Sequence, residues 1–252
     1  MTIKVMLFGI EIDNCSMQEA IHRIEEAIQQ KKTSLVVTPN AQHINIVQQD
    51  NEFKKIYNEA SLVLPDSVPL IWASKILGQP LKERVAGADI LPTFCKIAVR
   101  KKYKIFLLGA GPGVAKKAAK ILENKNPGLV ISDTYSPPFG FEQDERENFK
   151  IIKMIKTCKP DVLFVGLGTP KQEKWSWNHK EKMSVPVIIC VGASFDFIAQ
   201  KSIRAPLWMQ KSGLEWFHRL CQEPRRLWKR YLVGNIIFIL LVMKEFIKRK
   251  FK

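Results

Sequence analysis

Residues 103–125 read YKIFLLGAGPGVAKKAAKILENK and residues 161–175 read DVLFVGLGTPKQEKW. Each is an apolar, β-branched run, then a glycine-bearing turn, then a stretch with helical period. A continuously apolar strand is buried on both faces, whereas a strand with one wet face alternates. Strand, glycine turn and helix repeated along one chain build a parallel sheet covered on both sides. The expected fold class is therefore α/β, a Rossmann-like parallel sheet with helices on both faces.

The alternation extends outward from these two segments. Ser16 and Glu19 form a capping box, and Met17, Ala20, Ile21, Ile24 and Ile28 hold the helical period to about Gln30. SLVVTPN (34–40) is a strand stopped by Pro39, AQHINIVQQDNEFKKIYNEA (41–60) a helix pair, SLVLPD (61–66) a short strand and VPLIWASKILG (68–78) a helix. After the loop LKERVAGAD (81–89) a helix is expected from about Ile90 to Arg100, and VPVIICVGASFDF (185–197) is one more strand ending in a loop. The N-terminal run MTIKVMLFGIEID reads as a first strand, not a signal peptide.

Composition narrows the classes. The chain has 252 residues, 46% hydrophobic and 25% charged, which suits a globular protein and excludes a collagenous, low-complexity or largely disordered one. Lys and Arg number 40 against 24 Asp and Glu, a net charge of +16, unevenly placed. Residues 1–199 carry 27 basic and 21 acidic side chains, and the last 53 residues carry 13 and 3. Two units are expected, a catalytic domain over 1–200 and a basic, aromatic-rich appendage over 201–252. Cys15, Cys95, Cys158, Cys190 and Cys221 are scattered and form no C-x-x-C pair, which predicts reduced thiols in the cytoplasm. The four histidines are dispersed, with no metal-ligand spacing.

In doubly wound sheets ligands sit beyond the carboxyl ends of the strands. Polar or glycine-rich clusters follow the apolar runs at Thr38-Pro39-Asn40, Asp66-Ser67, Gly109 to Gly113, Gly166 to Glu173 and Gly192 to Asp196. All are expected on one edge of the sheet. The turn Gly109, Gly111, Gly113 suits a diphosphate at a helix N-terminus, or a tight connection with no ligand, and Val114 stands where a dinucleotide fingerprint has its third glycine. Asp66 is placed for a general base, or for a cap or turn, and Thr38 and Asn40 suit sugar hydroxyls and phosphate oxygens or turn chemistry around Pro39. Arg84 suits a phosphate or plain solvation, Gln172 offers an amide, Lys171 and Glu173 read as an exposed pair, and Asp196 suits a ribose, a base or a helix cap. In the appendage, Trp208, Trp216, Trp228 and Tyr231 alternate with Arg219, Arg225, Arg226 and Arg230, a pattern for the headgroup layer of an anionic membrane or for an ordinary C-terminal helix packed on the domain with a basic outer face. The run Ile236 to Met243 is too short to span a bilayer, which needs about 20 residues.

The run Arg204-Ala-Pro-Leu-Trp-Met-Gln-Lys-Ser-Gly213-Leu-Glu-Trp216, with Glu223-Pro-Arg-Arg226, GLGTPKQEKW, VGASFDF, ERVAGAD, LLGAGPGVAKKAA and TPN, closely resembles the WecG/TagA/CpsF family of bacterial glycosyltransferases. The resemblance runs from about residue 3 to 235 with the motifs in the same order. It implies an inverting, metal-independent transfer of N-acetylmannosamine or a related sugar from a UDP-sugar to a polyprenyl-diphosphate-linked sugar acceptor, in cell-surface polysaccharide or teichoic acid synthesis. No cofactor is implied, since the UDP-sugar is a substrate. By resemblance Asp66 is the general base, with Thr38 and Arg84 beside it in the catalytic set. Asn40, Gly109, Gly111, Gly113, Gln172 and Asp196 hold the donor, and Arg219, Arg226 and Arg225 or Arg230 close over the leaving diphosphate. The implied location is cytoplasmic, peripheral on the inner face of the cell membrane, and homo-oligomerisation is left open. Two departures bear on the donor: Ser67 stands where many members have Gly after the Asp, and Tyr135-Ser-Pro-Pro-Phe139-Gly140 replaces a Gly-Tyr-Phe type sequence. They keep open a UDP-glucose or UDP-glucuronate transferase of exopolysaccharide synthesis. Of the other classes, a basic nucleic-acid-binding protein would need no crevice chemistry, and an NAD-type oxidoreductase would need the missing glycine; nucleic acid is not an expected partner.

Overall fold

The computed structural model describes residues 3–251. Six strands form one wholly parallel sheet: β3 (Ser34–Val37), β4 (Leu62–Val63), β5 (Lys104–Gly109), β6 (Val130–Tyr135), β7 (Val162–Gly166) and β8 (Val187–Cys190), in the spatial order β4-β3-β8-β7-β5-β6. The central strands are apolar without interruption because both their faces are covered. Leu35, Val37, Leu163, Val165 and Ile188 point into one core, and Val36, Val162, Phe164, Val187 and Ile189 into the other.

The first core is closed by α2 (Ala41–Val47), α3 (Asn51–Glu59), α4 (Val68–Ile76), α7 (Glu145–Cys158) and α8 (Lys171–Met183), and the second by α1 (Met17–Gln30), α5 (Gly87–Lys101), α6 (Val114–Lys125) and α9 (Ser194–Ile198). The capping box at Ser16 and Glu19 is present, and α1 ends at Gln30 as its period predicts.

Three expectations are corrected and one unassigned stretch is filled. The N-terminal run is not a strand of the main sheet: Lys4–Leu7 (β1) and Ile10–Asp13 (β2) pair antiparallel as a separate hairpin. Phe8 and Gly9 both have positive φ, 55° and 82°, and reverse the chain after four residues. The hairpin covers the sheet edge, where the buried Asp13 carboxylate accepts the Val63 N–H at 2.8 Å. Second, β6 and α7 lie in a stretch left unassigned by the apolar pattern, because VISDTY is a half-exposed edge strand with polar residues. Third, α5 begins at Gly87 and not near Ile90. Ala86 offers no side-chain cap, and the Gly87 N–H is satisfied by the Asp66 Oδ1, 3.0 Å away and distant in sequence. Fourth, SFDFI after β8 is the short helix α9 and not loop.

The tail runs through α10 (Leu207–Lys211), α11 (Glu215–Gln222) and α12 (Pro224–Trp228) into one π turn (Lys229–Val233) and α13 (Gly234–Lys250). Trp228 and Gly234 keep helical dihedrals, so α12, the π turn and α13 are continuous. One side of α13 docks on the body. Phe238 enters the first core with its ring 5.7 Å from Phe8, Asn45 donates to the Gly234 carbonyl at 2.7 Å, and Arg249 donates to the carbonyls of Met6 and Leu77 at 2.8 and 3.1 Å. On the other side Ile236, Ile239, Leu240, Met243 and Ile247 are exposed. Among the described residues no helix is long and apolar enough to cross a membrane.

Candidate active site

The carboxyl ends of the strands open onto a cleft of about 580 Å3, roofed by the tail. All five strand-end clusters contribute to its lining. Glycine makes the floor: a Cβ on Gly109 would lie 2.4 Å from the Gly166 carbonyl oxygen, and one on Gly166 would lie 2.8 Å from that of Gly192. The ends of β5, β7 and β8 approach closely because these residues have no side chain. Gly109 serves this close approach and Gly113 a positive φ of 74°, and both lie outside the lining, whereas Gly111 lines the cleft.

Asp66 follows β4 with its carboxylate at the cleft. Oδ1 accepts the Gly87 N–H at 3.0 Å, and Oδ2 accepts from Asn40 Nδ2 at 3.5 Å. Burial pushes its carboxyl up to about 6 and the Glu215 charge adds to this, while Arg84, His43 and the Gly87 N–H pull the other way. The other lining carboxylates, Asp196, Glu215 and Glu223, each have a Lys or Arg within 4.0 Å, and Asp66 has none among the described residues.

Thr38 is 5% exposed, and its hydroxyl donates to the Cys190 carbonyl at 3.0 Å, joining the ends of β3 and β8. Its lone pairs remain available at the cleft. Gln172 is 2% exposed with both ends of its amide engaged, Nε2 on Glu173 at 2.8 Å and Oε1 on the Gly192 N–H at 3.1 Å. It holds the loop after β8 in place. Asp196 lies on α9, with Lys201 Nζ at 3.6 Å.

Arg84 is neither solvated nor free. It meets Asp89 at 2.9 Å and Glu215 at 3.3 Å, and Arg204 meets Asp89 at 2.5 Å and Glu215 at 3.5 Å. Two arginines and two carboxylates thus tie the loop before α5 to α11 of the tail. Arg219, Arg226 and Arg230 enter the cleft from above, whereas Arg225 is not in its lining. Arg226 rests on Glu223 at 2.6 Å, and Arg219 lies over the Phe197 ring. Arg230, on the π turn, is different: its Nε is buried with no hydrogen-bond partner. Burial, and then Arg219 and Arg226, lower its pKa despite Tyr231 and Asp66 nearby. An anion entering here would meet a desolvated cation.

The sequence pattern assigns no role to His43, Asp89, Arg204 or Glu215, and it places Trp216 at a membrane headgroup layer, whereas Trp216 lines the cleft. The pattern also makes Glu173 half of an exposed pair with Lys171. Glu173 is fully buried, and Lys171 pairs with Glu142 at 2.8 Å. One signal was available: Gln172, Glu173 and Ser176 share a helix face with Trp175 and are buried with it.

Comparison with known proteins agrees with this geometry. Residues 5–252 match the sequence model of the Glycosyl transferase WecG/TagA/CpsF family. Over 253 aligned residues, covering all of this chain and 95% of the relative, the chain is 31% identical to an N-acetylglucosaminyldiphosphoundecaprenol N-acetyl-beta-D-mannosaminyltransferase of Staphylococcus aureus strain MW2. The proteins of the same description in strains NCTC 8325 / PS 47 and MRSA252 are 31% and 30% identical over the same span.

Proposed function

Because the chain belongs to the WecG/TagA/CpsF glycosyltransferase family, we propose that it transfers N-acetylmannosamine from UDP-N-acetylmannosamine to a polyprenyl-diphosphate-linked N-acetylglucosamine, with inversion. One observation carries the reading: a carboxylate with no ion-pair partner among the described residues, Asp66, stands on the sheet side of a cleft whose roof presents Arg230, its Nε without a hydrogen-bond partner, near Arg219 and Arg226.

In this reading Asp66 takes the proton of the acceptor hydroxyl as its oxygen attacks the anomeric carbon. The new C–O bond forms on the face opposite the departing UDP, whose bond to the sugar breaks with both electrons. The charge gathering on the diphosphate is stabilised by the three arginines, which supply the positive charge that other transferases draw from a metal ion, so no cofactor is required. A base near pH 6 is ionised at neutral pH and still basic enough to accept a proton. Thr38 and Asn40 fix the base side, and Gly111, Gly192 and Asp196 line the donor side.

The exposed apolar side of α13, flanked by Lys244, Lys248 and Lys250, supports peripheral attachment to an anionic membrane surface where a lipid-linked acceptor resides. A UDP-glucose or UDP-glucuronate donor is the second reading. Ser67 favours it, because its hydroxyl is buried without a partner at the cleft beside Asp66 and can meet a sugar hydroxyl. A panel of UDP-sugars, assayed for UDP release with a synthetic lipid-diphosphate-sugar acceptor, separates the readings. Release with UDP-N-acetylmannosamine alone supports the first, release with the glucose donors the second, and release with none refutes both.

A further inference from the structure

Behind the cleft lies a charge that the proposed reaction does not use. Glu173 is fully buried at the start of α8, and three side chains converge on it. Thr169 donates to Oε2 at 2.7 Å, and Gln172 and His43 approach Oε1 at 2.8 and 3.3 Å. Burial alone would push its carboxyl up, yet the hydrogen bonds from His43, Gln172 and Thr169 hold it below the usual carboxylate range. An ion in such a place is costly to desolvate, and apolar packing would serve stability as well.

The partners lead outward in two directions. His43 Nδ1 accepts the Asn40 N–H at 3.2 Å, so its Nε2 carries the hydrogen toward Glu173 and the ring is fixed at both nitrogens. The Asn40 side-chain oxygen accepts the N–H groups of Gln42 and His43 at the start of α2, at 3.0 and 3.4 Å. Its amide nitrogen is thereby left to face Asp66. In the other direction Gln172 carries the order to the Gly192 N–H. We propose that Glu173 is a positioning residue that orients Asp66 through His43 and Asn40 and holds the Gly192 loop through Gln172. The catalytic part of this rests on Asp66 being the base.

Glu173→Gln removes the charge and keeps the shape. The charged and titratable groups around Asp66 are His43 on α2, Tyr57 on α3, Arg84 before α5, Glu215 on α11 and Arg230 on the π turn. With His43 and Asn40 loosened, the ionised form of Asp66 loses support, so its titration moves upward, opposite to the downward shift that loss of the Glu173 charge alone would give. Two measurements on the full-length protein test this: the carbon-13 NMR titration of the Asp66 carboxyl, and UDP release against pH.

Glu173→Gln is expected to raise the Asp66 titration and the acid limb of kcat/KM together, with kcat down by about ten- to a hundredfold. In an Asn40→Ala background it should move the Asp66 titration no further, since that shift runs through His43 and Asn40, while the rate carried by the Gln172 path is still lost. An unmoved titration in Glu173→Gln, or titration shifts that add in full in the double variant, overturns the proposal. Should Glu173→Gln fail to fold, His43→Gln keeps an amide donor for Glu173 and breaks only the link to Asn40; an unmoved Asp66 titration there overturns it equally. A titration that moves in a protein transferring no sugar would refute the functional reading and leave the positioning role standing.

Discussion

Replacing Asp66 by Asn is expected to stabilise the protein while abolishing turnover. The Asp66 carboxyl lies at about 6 against an ordinary 3.8, chiefly because burial disfavours its charge. The folded chain therefore holds this proton more tightly than the unfolded chain does. Its contribution to stability is fully present below pH 3.8, is lost as the pH rises to 6, and stays lost above, a deficit of about 3 kcal/mol. Asn is spared this. Its side-chain oxygen can still accept the Gly87 N–H, but its amide nitrogen then faces the Asn40 amide nitrogen, which forfeits about 1 kcal/mol. The net gain is about 2 kcal/mol at pH 7.5, roughly 4–8 °C in Tm for a chain of this size. Near pH 4 the gain vanishes, because the wild-type carboxyl is then protonated in the folded state. Calorimetry at pH 4, 5.5 and 7.5, with UDP release on the same samples, measures both effects. A variant less stable than wild type at pH 7.5, or a difference independent of pH, refutes the strained carboxylate, and residual turnover refutes its role as base.

Three further outcomes are expected. Arg230→Ala should weaken UDP binding by about ten- to a hundredfold in titration calorimetry, the worth of charge-assisted hydrogen bonds, without lowering Tm, since a buried cation beside Arg219 and Arg226 is relieved. Glu215→Gln should move the acid limb of kcat/KM downward, because the Glu215 charge helps to raise Asp66 and its loss also leaves Arg84 freer to support the anion; an upward move contradicts the cleft electrostatics. Leu240→Glu with Met243→Glu, both on the exposed side of α13, should reduce co-sedimentation with anionic vesicles and leave turnover of a soluble short-chain acceptor intact.

What could be read beforehand follows from which forces are local. Leu35-Val36-Val37 and Val162 to Val165 show their burial on both faces in any window of the sequence, so the parallel sheet and its ligand edge were legible. The edge strand β6 was not, because an edge needs no apolar run, and neither was the hairpin, which depends on two positive-φ residues. The start of α5 was hidden because its cap, Asp66, is 21 residues away. The same limit applies inside the site. Arg84 and Asp66 were identifiable as strand-end or loop groups, but the partners of Arg84 lie 5 and 131 residues off. Glu173 was misread because local sequence shows a charge beside a lysine, and only the fold brings Thr169, Gln172 and His43 around it.

The same distinction changes the meaning of the net charge of +16. Arg84, Lys201, Arg204, Arg219, Arg226 and Arg230 line the cleft, but Asp66, Asp196, Glu215 and Glu223 line it too, and Asp89 pairs with two of the arginines from behind. The site is close to balanced before any substrate arrives. The tail contributes to both sides of the balance, supplying Arg219, Arg226 and Arg230 together with Glu215 and Glu223. A diphosphate entering such a cleft competes with carboxylates already in place, so the gain on binding is a difference between two charge-assisted contacts and not the full worth of either. In the proposed reaction, which releases UDP after each turn, this is favourable, because a surplus of unpaired arginines would bind product as firmly as the departing charge in the transition state. Among the described residues Arg219 and Arg230 meet aromatic rings and no carboxylate, and the buried Arg230 Nε has no acceptor, so these two are placed to contribute most where charge develops on the leaving group. The uncompensated positive charge lies elsewhere, on Lys211, Arg225, Lys229, Lys244, Lys248 and Lys250, none of which lines the cleft and all of which belong to the tail proposed to meet the membrane.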